Sequence, residues 1–180
     1  MSGSNILFQL TGSIACYKAC SVISKLVQDG FTVKTAATES ALRFIGPATL
    51  EGLTREPVYA DLFEGRKALE HVELTQWYDL AIVCPATANI LGKFAGGIGD
   101  DCVSTLFLAH DFKKPFLIAP AMNSRMLAHP AVQRSISVLK GWGVSVLGTG
   151  TGRQACGDSG PGRMLEPGEI HAAILKALKA

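Results

Sequence analysis

Short apolar runs alternate with longer mixed segments along the whole chain. Asn5–Leu10, Phe31–Ala37, Leu80–Cys84, Phe116–Ala119 and Val144–Leu147 have the length and apolarity of buried strands, and Val58-Tyr59 reads as a shorter one. Between them the spacing changes to that of helices. After Leu10 the turn Thr11–Ala15 opens a helix to about Gln28, with apolar positions at Ile14, Ala15, Val22, Ile23, Leu26 and Val27 and a stop at Asp29-Gly30. Thr38-Glu39-Ser40 opens a second helix, broken at Gly46-Pro47, with a short one over Ala48–Leu53. Others are expected from Asn89 to about Ala95, from a cap at Asp100-Asp101 to about Ala109, over Pro130–Leu139 and over Glu169–Leu178. Strands alternating with helices predict a doubly wound, flavodoxin- or Rossmann-like α/β fold, a parallel sheet with helices on both faces, as one domain over 1–180.

The strand ends carry the candidate chemistry. Leu80–Cys84 is expected to stop at Pro85, which cannot donate to a ladder, and Ala86-Thr87-Ala88-Asn89 follows. Phe116–Ala119 repeats the pattern with Pro120-Ala121-Met122-Asn123. Either turn alone reads equally well as an ordinary connection with an Asn helix cap; the repetition points to one pocket floored by two loops at the carboxyl ends of buried strands. The first turn, Thr11-Gly12-Ser13, leads from a strand to a helix N-terminus, where free N–H groups and the dipole favour an anion. It has one glycine, so it is neither G-x-G-x-x-G nor a Walker loop and suits a mononucleotide phosphate, or it is a plain turn with a Ser cap. Thr38 and Ser40, on the neighbouring turn, would share that phosphate. Met122 and Met126 read as core filler or as thioethers against a flat ligand.

Gly148–Gly168 is so dense in glycine and proline that no strand or helix interior is expected there; a loop this long is a functional lid or a disordered linker, and the helix still to come favours the lid. Cys156 lies in it, flanked by Arg153 and Arg163, whose charge lowers a thiol's pKa and attracts anions. The remaining cysteines, Cys16, Cys20, Cys84 and Cys102, are scattered and form no C-x-x-C, which argues against a disulfide framework or a metal site. Asp100 and Asp101 are adjacent and explained by a helix start, not by acid–base work. His71, beside another helix start, reads as a capping or surface residue or as one that reaches a neighbouring subunit.

A hydrophobic content of 48% and a mean hydropathy of +0.26 are high for a soluble protein of this size, which suggests a buried parallel sheet, an oligomeric interface, or both. A net charge of +2, without basic runs, gives no reason to expect nucleic acid. No apolar run reaches the roughly 20 residues of a membrane span, and no signal peptide opens the chain. A cytoplasmic location is the expectation.

Thr11–Lys18, Pro85–Asn89, Pro120–Asn123 and Ala155-Cys156-Gly157-Asp158 together resemble, in order along nearly the whole chain, the homo-oligomeric flavin-containing cysteine decarboxylases. Within that family the resemblance points to members that convert 4′-phosphopantothenoylcysteine to 4′-phosphopantetheine on the route to coenzyme A. It implies FMN, with Gly12, Ser13, Ile14, Thr38 and Ser40 at the phosphate end, Thr87, Ala88, Asn89 and Ile90 along the flavin, and Met122 beside it. It implies Asn123 on the substrate carboxylate, Arg153, Gln154 and Ala155 as a clamp on the phosphopantothenoyl arm, His71 as the active-site histidine and Cys156 as the proton donor. It further implies trimers, sometimes assembled into dodecamers, with the site between subunits. The thiol would be oxidised to a thioaldehyde by the flavin, carbon dioxide lost, and the enethiolate protonated and reduced. Thr87 stands where Ser is common and keeps the hydroxyl, whereas Ile90 for a frequent Thr and Leu127 for a frequent Trp put local flavin contacts, not the cofactor, in question. The sequence ends at Ala180 without the ligase domain fused behind many such enzymes, so a separate ligase is expected. The alternatives are a decarboxylase of peptides ending in cysteine and a non-catalytic flavin-binding regulatory protein; His71, Asn123 and Cys156, all present, argue against the second.

Overall fold

A computed structural model describes residues 3–61, 70–153, 157 and 159–179. Six strands, β1 (Asn5–Leu10), β2 (Thr32–Ala37), β3 (Val58–Tyr59), β4 (Leu80–Ala86), β5 (Phe116–Pro120) and β6 (Ser145–Val146), pair in parallel in the order β3-β2-β1-β4-β5-β6. The fold is therefore the doubly wound α/β sheet, and its strand order reverses between β1 and β4, where such sheets open a crevice at their carboxyl edge.

The strands read as unbroken apolar runs because both faces are covered. Ile6, Phe8 and Leu10 of β1, with Leu80 and Ile82 of β4, pack under α1 (Cys16–Gln28), α3 (Pro47–Thr54) and α9 (Pro167–Ala177). Leu7, Ala81, Val83 and Ile118 face α4 (Glu70–Trp77), α5 (Ala88–Gly96), α6 (Cys102–Leu108) and α8 (Pro130–Gly141). Full burial of each large side chain contributes roughly 1.5–3 kcal/mol. Cys16, Cys84 and Cys102 are buried within these layers, and burial raises their thiol pKa values, that of Cys102 to about 12. Asp101 caps α6 through Ser104, and Lys93 binds both Asp100 and Asp101, as a helix-start reading requires. Among the described residues no helix is long and apolar enough to cross a membrane.

Three expectations are corrected. β4 does not stop at Cys84; it continues through Pro85 to Ala86, because the ladder to β5 shifts register between Val83 and Ala86 and that irregularity tolerates a residue without an N–H. The segment after Asn123 holds two helices, not one: α7 (Ser124–Ala128), capped by Asn123, then α8, capped by His129. The glycine-rich stretch is not strand-free. β7 (Gly150–Arg153) and β8 (Ser159–Arg163) pair antiparallel, with Gly152 and Gly162 at φ values of +152° and +119°, where a side chain would be strained.

At the amino edge of the sheet, the Tyr78 hydroxyl and His110 Nδ1 lie 2.6 Å apart, and Lys114 binds the carbonyls of Thr75 and Gln76 that end α4. His110 is 5% exposed. Burial lowers its pKa below 6.5, reinforced by Lys114 and opposed by Asp111. The unfolded chain thus takes up a proton before the native one does, and stability falls as pH drops from 6.5 towards the lower native value. Thermal unfolding followed between about pH 7.5 and 5.5 should show this acid-side loss, and His110→Gln should flatten it.

Candidate active site

The carboxyl ends of β1, β4 and β5 surround a cavity of about 650 Å³, within the roughly 300–1,000 Å³ of cofactor and ligand sites. Gly12, Ser13 and Ile14 line it from the first turn, Thr87 and Ala88 from the second, and Met122 and Asn123 from the third. The hairpin closes one side with Arg153 and Gly162–Met164. The order β2-β1-β4-β5 makes this possible: turns far apart in sequence leave adjacent strands at one edge.

Each turn is held by local chemistry. The Ser13 hydroxyl accepts from the Ala15 N–H, yet α1 begins without a side-chain cap at Ala15, so its positive dipole end is open to a ligand. Thr38 and Thr87 cap α2 (Glu39–Leu42) and α5 through Ala41 N–H and Ile90 N–H. Asn123 Oδ1 accepts from Arg125 N–H at 2.8 Å. Between turns, Thr11 Oγ1 donates to Pro85 O at 2.7 Å, Ala121 N–H donates to Ala86 O at 2.9 Å, and Met122 N–H donates to Gly162 O at 2.9 Å.

Charge and apolar surface are arranged unequally. The described lining holds three cations, Lys18, Arg153 and Arg163, and no carboxylate. Glu166 stands behind it, 2.7 Å from Lys18 Nζ and 3.3 Å from Arg163, and the Lys18 contact holds its carboxyl below the usual range. Ile14 and Tyr17 each leave 59% of their surface exposed at the cavity, an arrangement that favours a ligand with a planar apolar part and a negative end.

Of the residues singled out from sequence, Thr38, Ser40, Asn89 and Ile90 fall outside this lining. Ser40 abuts Gly12; a Cβ placed on Gly12 would stand 2.6 Å from Ser40 Cβ. Asn89 is exposed, and the Ile90 side chain, 1% exposed, packs into the core beneath α5. His71 is half-buried on the first turn of α4 and does not line the cavity of its own chain. Gln154, Ala155 and Cys156 lie outside the described residues. Lys18 and Met164 had not been singled out as site residues. Lys18 is the third residue of α1 and its role emerges only from packing, whereas the apolar Met164 carries no polar signal to find.

The flavoprotein family matches the chain over residues 1–179. The coenzyme A biosynthesis bifunctional protein CoaBC of Bacillus subtilis (strain 168) is 46% identical over 172 residues, covering 94% of this chain and 42% of that protein. The chain thus spans less than half the length of this curated relative. A PPC decarboxylase mutant complexed with pantothenoylaminoethenethiol shares the fold with a TM-score of 0.91 at 29% identity, over 98% of this chain and 99% of that one. The FMN binding protein AtHal3 has a TM-score of 0.85 at 30% identity, over 96% and 95% of the two chains.

Proposed function

The chain belongs to the flavoprotein family, and from that premise we propose that it binds FMN and decarboxylates 4′-phosphopantothenoylcysteine to 4′-phosphopantetheine, a step of coenzyme A biosynthesis. The observation that carries this reading is the cavity itself: apolar walls, three cations and no carboxylate among its described lining, and two turns from neighbouring strands that each open on Pro-Ala, at Pro85 and Pro120. The residues fit a flavin mononucleotide. Gly12 leaves the gap beside Ser40 that a side chain would fill, and the uncapped start of α1 suits a phosphate.

When bound, FMN would supply a two-electron oxidation of the substrate thiol, which gives the departing carboxylate's electrons a thioaldehyde to enter, and would return the same two electrons after protonation, so that the product is again a thiol. The chain's own residues orient and protonate. Gly12, Ser13 and Ile14 hold the phosphate end, with Thr38 and Ser40 supporting that turn. Thr87, Ala88 and Asn89 present the second turn to the ring system, Ile90 anchors it through the core, and Met122 packs alongside. Asn123, its oxygen fixed by Arg125 N–H, offers its amide nitrogen to the substrate carboxylate. Arg153, with Gln154 and Ala155, clamps the phosphopantothenoyl arm, and Cys156 returns a proton to the enethiolate. His71 acts across an interface in a homotrimer or a larger assembly of trimers. The ligase that makes the substrate is the partner activity this reading requires.

Incubation of the protein with FMN and 4′-phosphopantothenoylcysteine, followed by mass spectrometry, should show loss of one carbon dioxide and formation of 4′-phosphopantetheine. Bound FMN with no such product, or product only from a peptide ending in cysteine, would overturn the assignment.

A further inference from the structure

We infer that Thr11, which does not line the cavity, is a positioning residue for it: its buried hydroxyl joins the turn after β1 to the turn after β4 and so sets the width of the flavin slot. The inference rests on the FMN reading above. Thr11 is 2% exposed. Its Oγ1 donates to Pro85 O at 2.7 Å and accepts from Thr87 N–H at 3.1 Å, with Thr87 Oγ1 3.4 Å away. A hydroxyl has one proton, and here that proton and a lone pair both act on the same turn.

The position matters because the sheet gives out there. The β1–β4 ladder runs from Ile6↔Leu80 to Gln9↔Val83 and then ends, just short of the point where the strand order reverses. Beyond it the Thr11 hydroxyl takes over the pairing. The turn after β4 is tied to the turn after β5, and that turn to the hairpin, by the backbone pairs Ala121–Ala86 and Met122–Gly162. Along this series the β1–β4 link is the one made by a side chain, so it can be removed without altering the backbone. Gly12, the next residue, and Thr87, its partner, both line the cavity. Loss of the hydroxyl would strand a buried carbonyl and a half-buried N–H, and the two turns would part to rehydrate them.

Thr11→Val keeps the volume and removes the hydroxyl; Thr11→Ser keeps the hydroxyl. In Thr11→Val, FMN affinity should fall about tenfold, the bound-flavin absorption band should shift, and the Thr87 amide should exchange faster with solvent in FMN-free protein. Thr11→Ser should restore all three. If Thr11→Val does not fold, Thr11→Ala serves the same comparison without a buried second methyl. Wild-type FMN affinity, spectrum and Thr87 exchange in the hydroxyl-free variant would overturn the inference, even with a lowered melting temperature. Failure of the wild-type protein to bind FMN would instead overturn the cofactor reading, while Thr87 exchange in the FMN-free proteins would still decide whether Thr11 holds the turn.

Discussion

Gly12→Ala is expected to weaken FMN binding by about ten- to hundredfold while leaving the fold intact. The new Cβ would stand 2.6 Å from Ser40 Cβ and 3.2 and 3.3 Å from the Ser40 carbonyl carbon and oxygen. Ser40 cannot swing away, since these atoms are backbone or attached to it, in a helix fixed by the Thr38 cap and by Thr38 N–H donating to Leu10 O at 3.1 Å. Either α2 or the first turn must shift, and overpacking of this kind costs about 1–3 kcal/mol, with each 1.4 kcal/mol worth about a factor of ten in affinity. Titration of apoprotein with FMN reads the effect. Adding Ser40→Gly removes the shortest contact and should recover part of the loss, because the backbone contacts remain. Undiminished affinity in Gly12→Ala would mean that the phosphate end of the ligand lies elsewhere.

The second large effect falls on chemistry. His71→Asn should bind FMN as the unaltered protein does and lose about 10²–10⁴ in decarboxylation rate, the range of a lost general acid–base. α4 leads into β4 from the amino edge, so this crossover helix starts at the carboxyl edge, the end of the molecule where the cavity opens, yet His71 is not part of its own chain's lining. A mixture of His71→Asn chains with Gly12→Ala chains, dissociated and reassembled, tests the arrangement. Recovery of activity would show that histidine and flavin turn come from different subunits. No recovery, with each variant folded, would place both in one chain, and a normal rate in His71→Asn would return the histidine to a structural role.

The fold was legible wherever burial on two faces imposed a continuous apolar run, and the bounds of β1, β2, β4 and β5 follow those runs to within two residues. Less legible were features set by pairing between distant segments. Pro85 looked like a strand end because proline donates no hydrogen bond; only the register shift against β5 shows why it is accommodated. The hairpin was hidden because its glycines suppress the alternation that marks a strand, whereas they provide backbone conformations that pairing requires there. The cavity was read from strand-end turns: Gly12, Ser13, Ile14, Thr87, Ala88, Met122 and Asn123 come together because the sheet order makes those turns neighbours. Ile90 shows the limit of a motif read linearly. Three residues past Pro85–Thr87 the helix has turned its side chain into the core.

The β7–β8 hairpin shares no ladder with the main sheet; among the described residues it is fastened by Gly162 O on Met122 N–H, by Arg163 on Glu166, and by the close approach of Gly160 to Ser124. On the proposed function, the substrate contacts made by the hairpin can therefore vary apart from the strand-end turns that face the flavin, with Cys156 the position in that segment that the proton transfer holds constant. A lineage that keeps Cys156 could rewrite the rest of the sequence between these fastenings and admit a different acid while the strand-end turns stay as they are. Exchange of residues 150–163 between relatives that both carry this cysteine is the corresponding test of the proposed specificity in the laboratory.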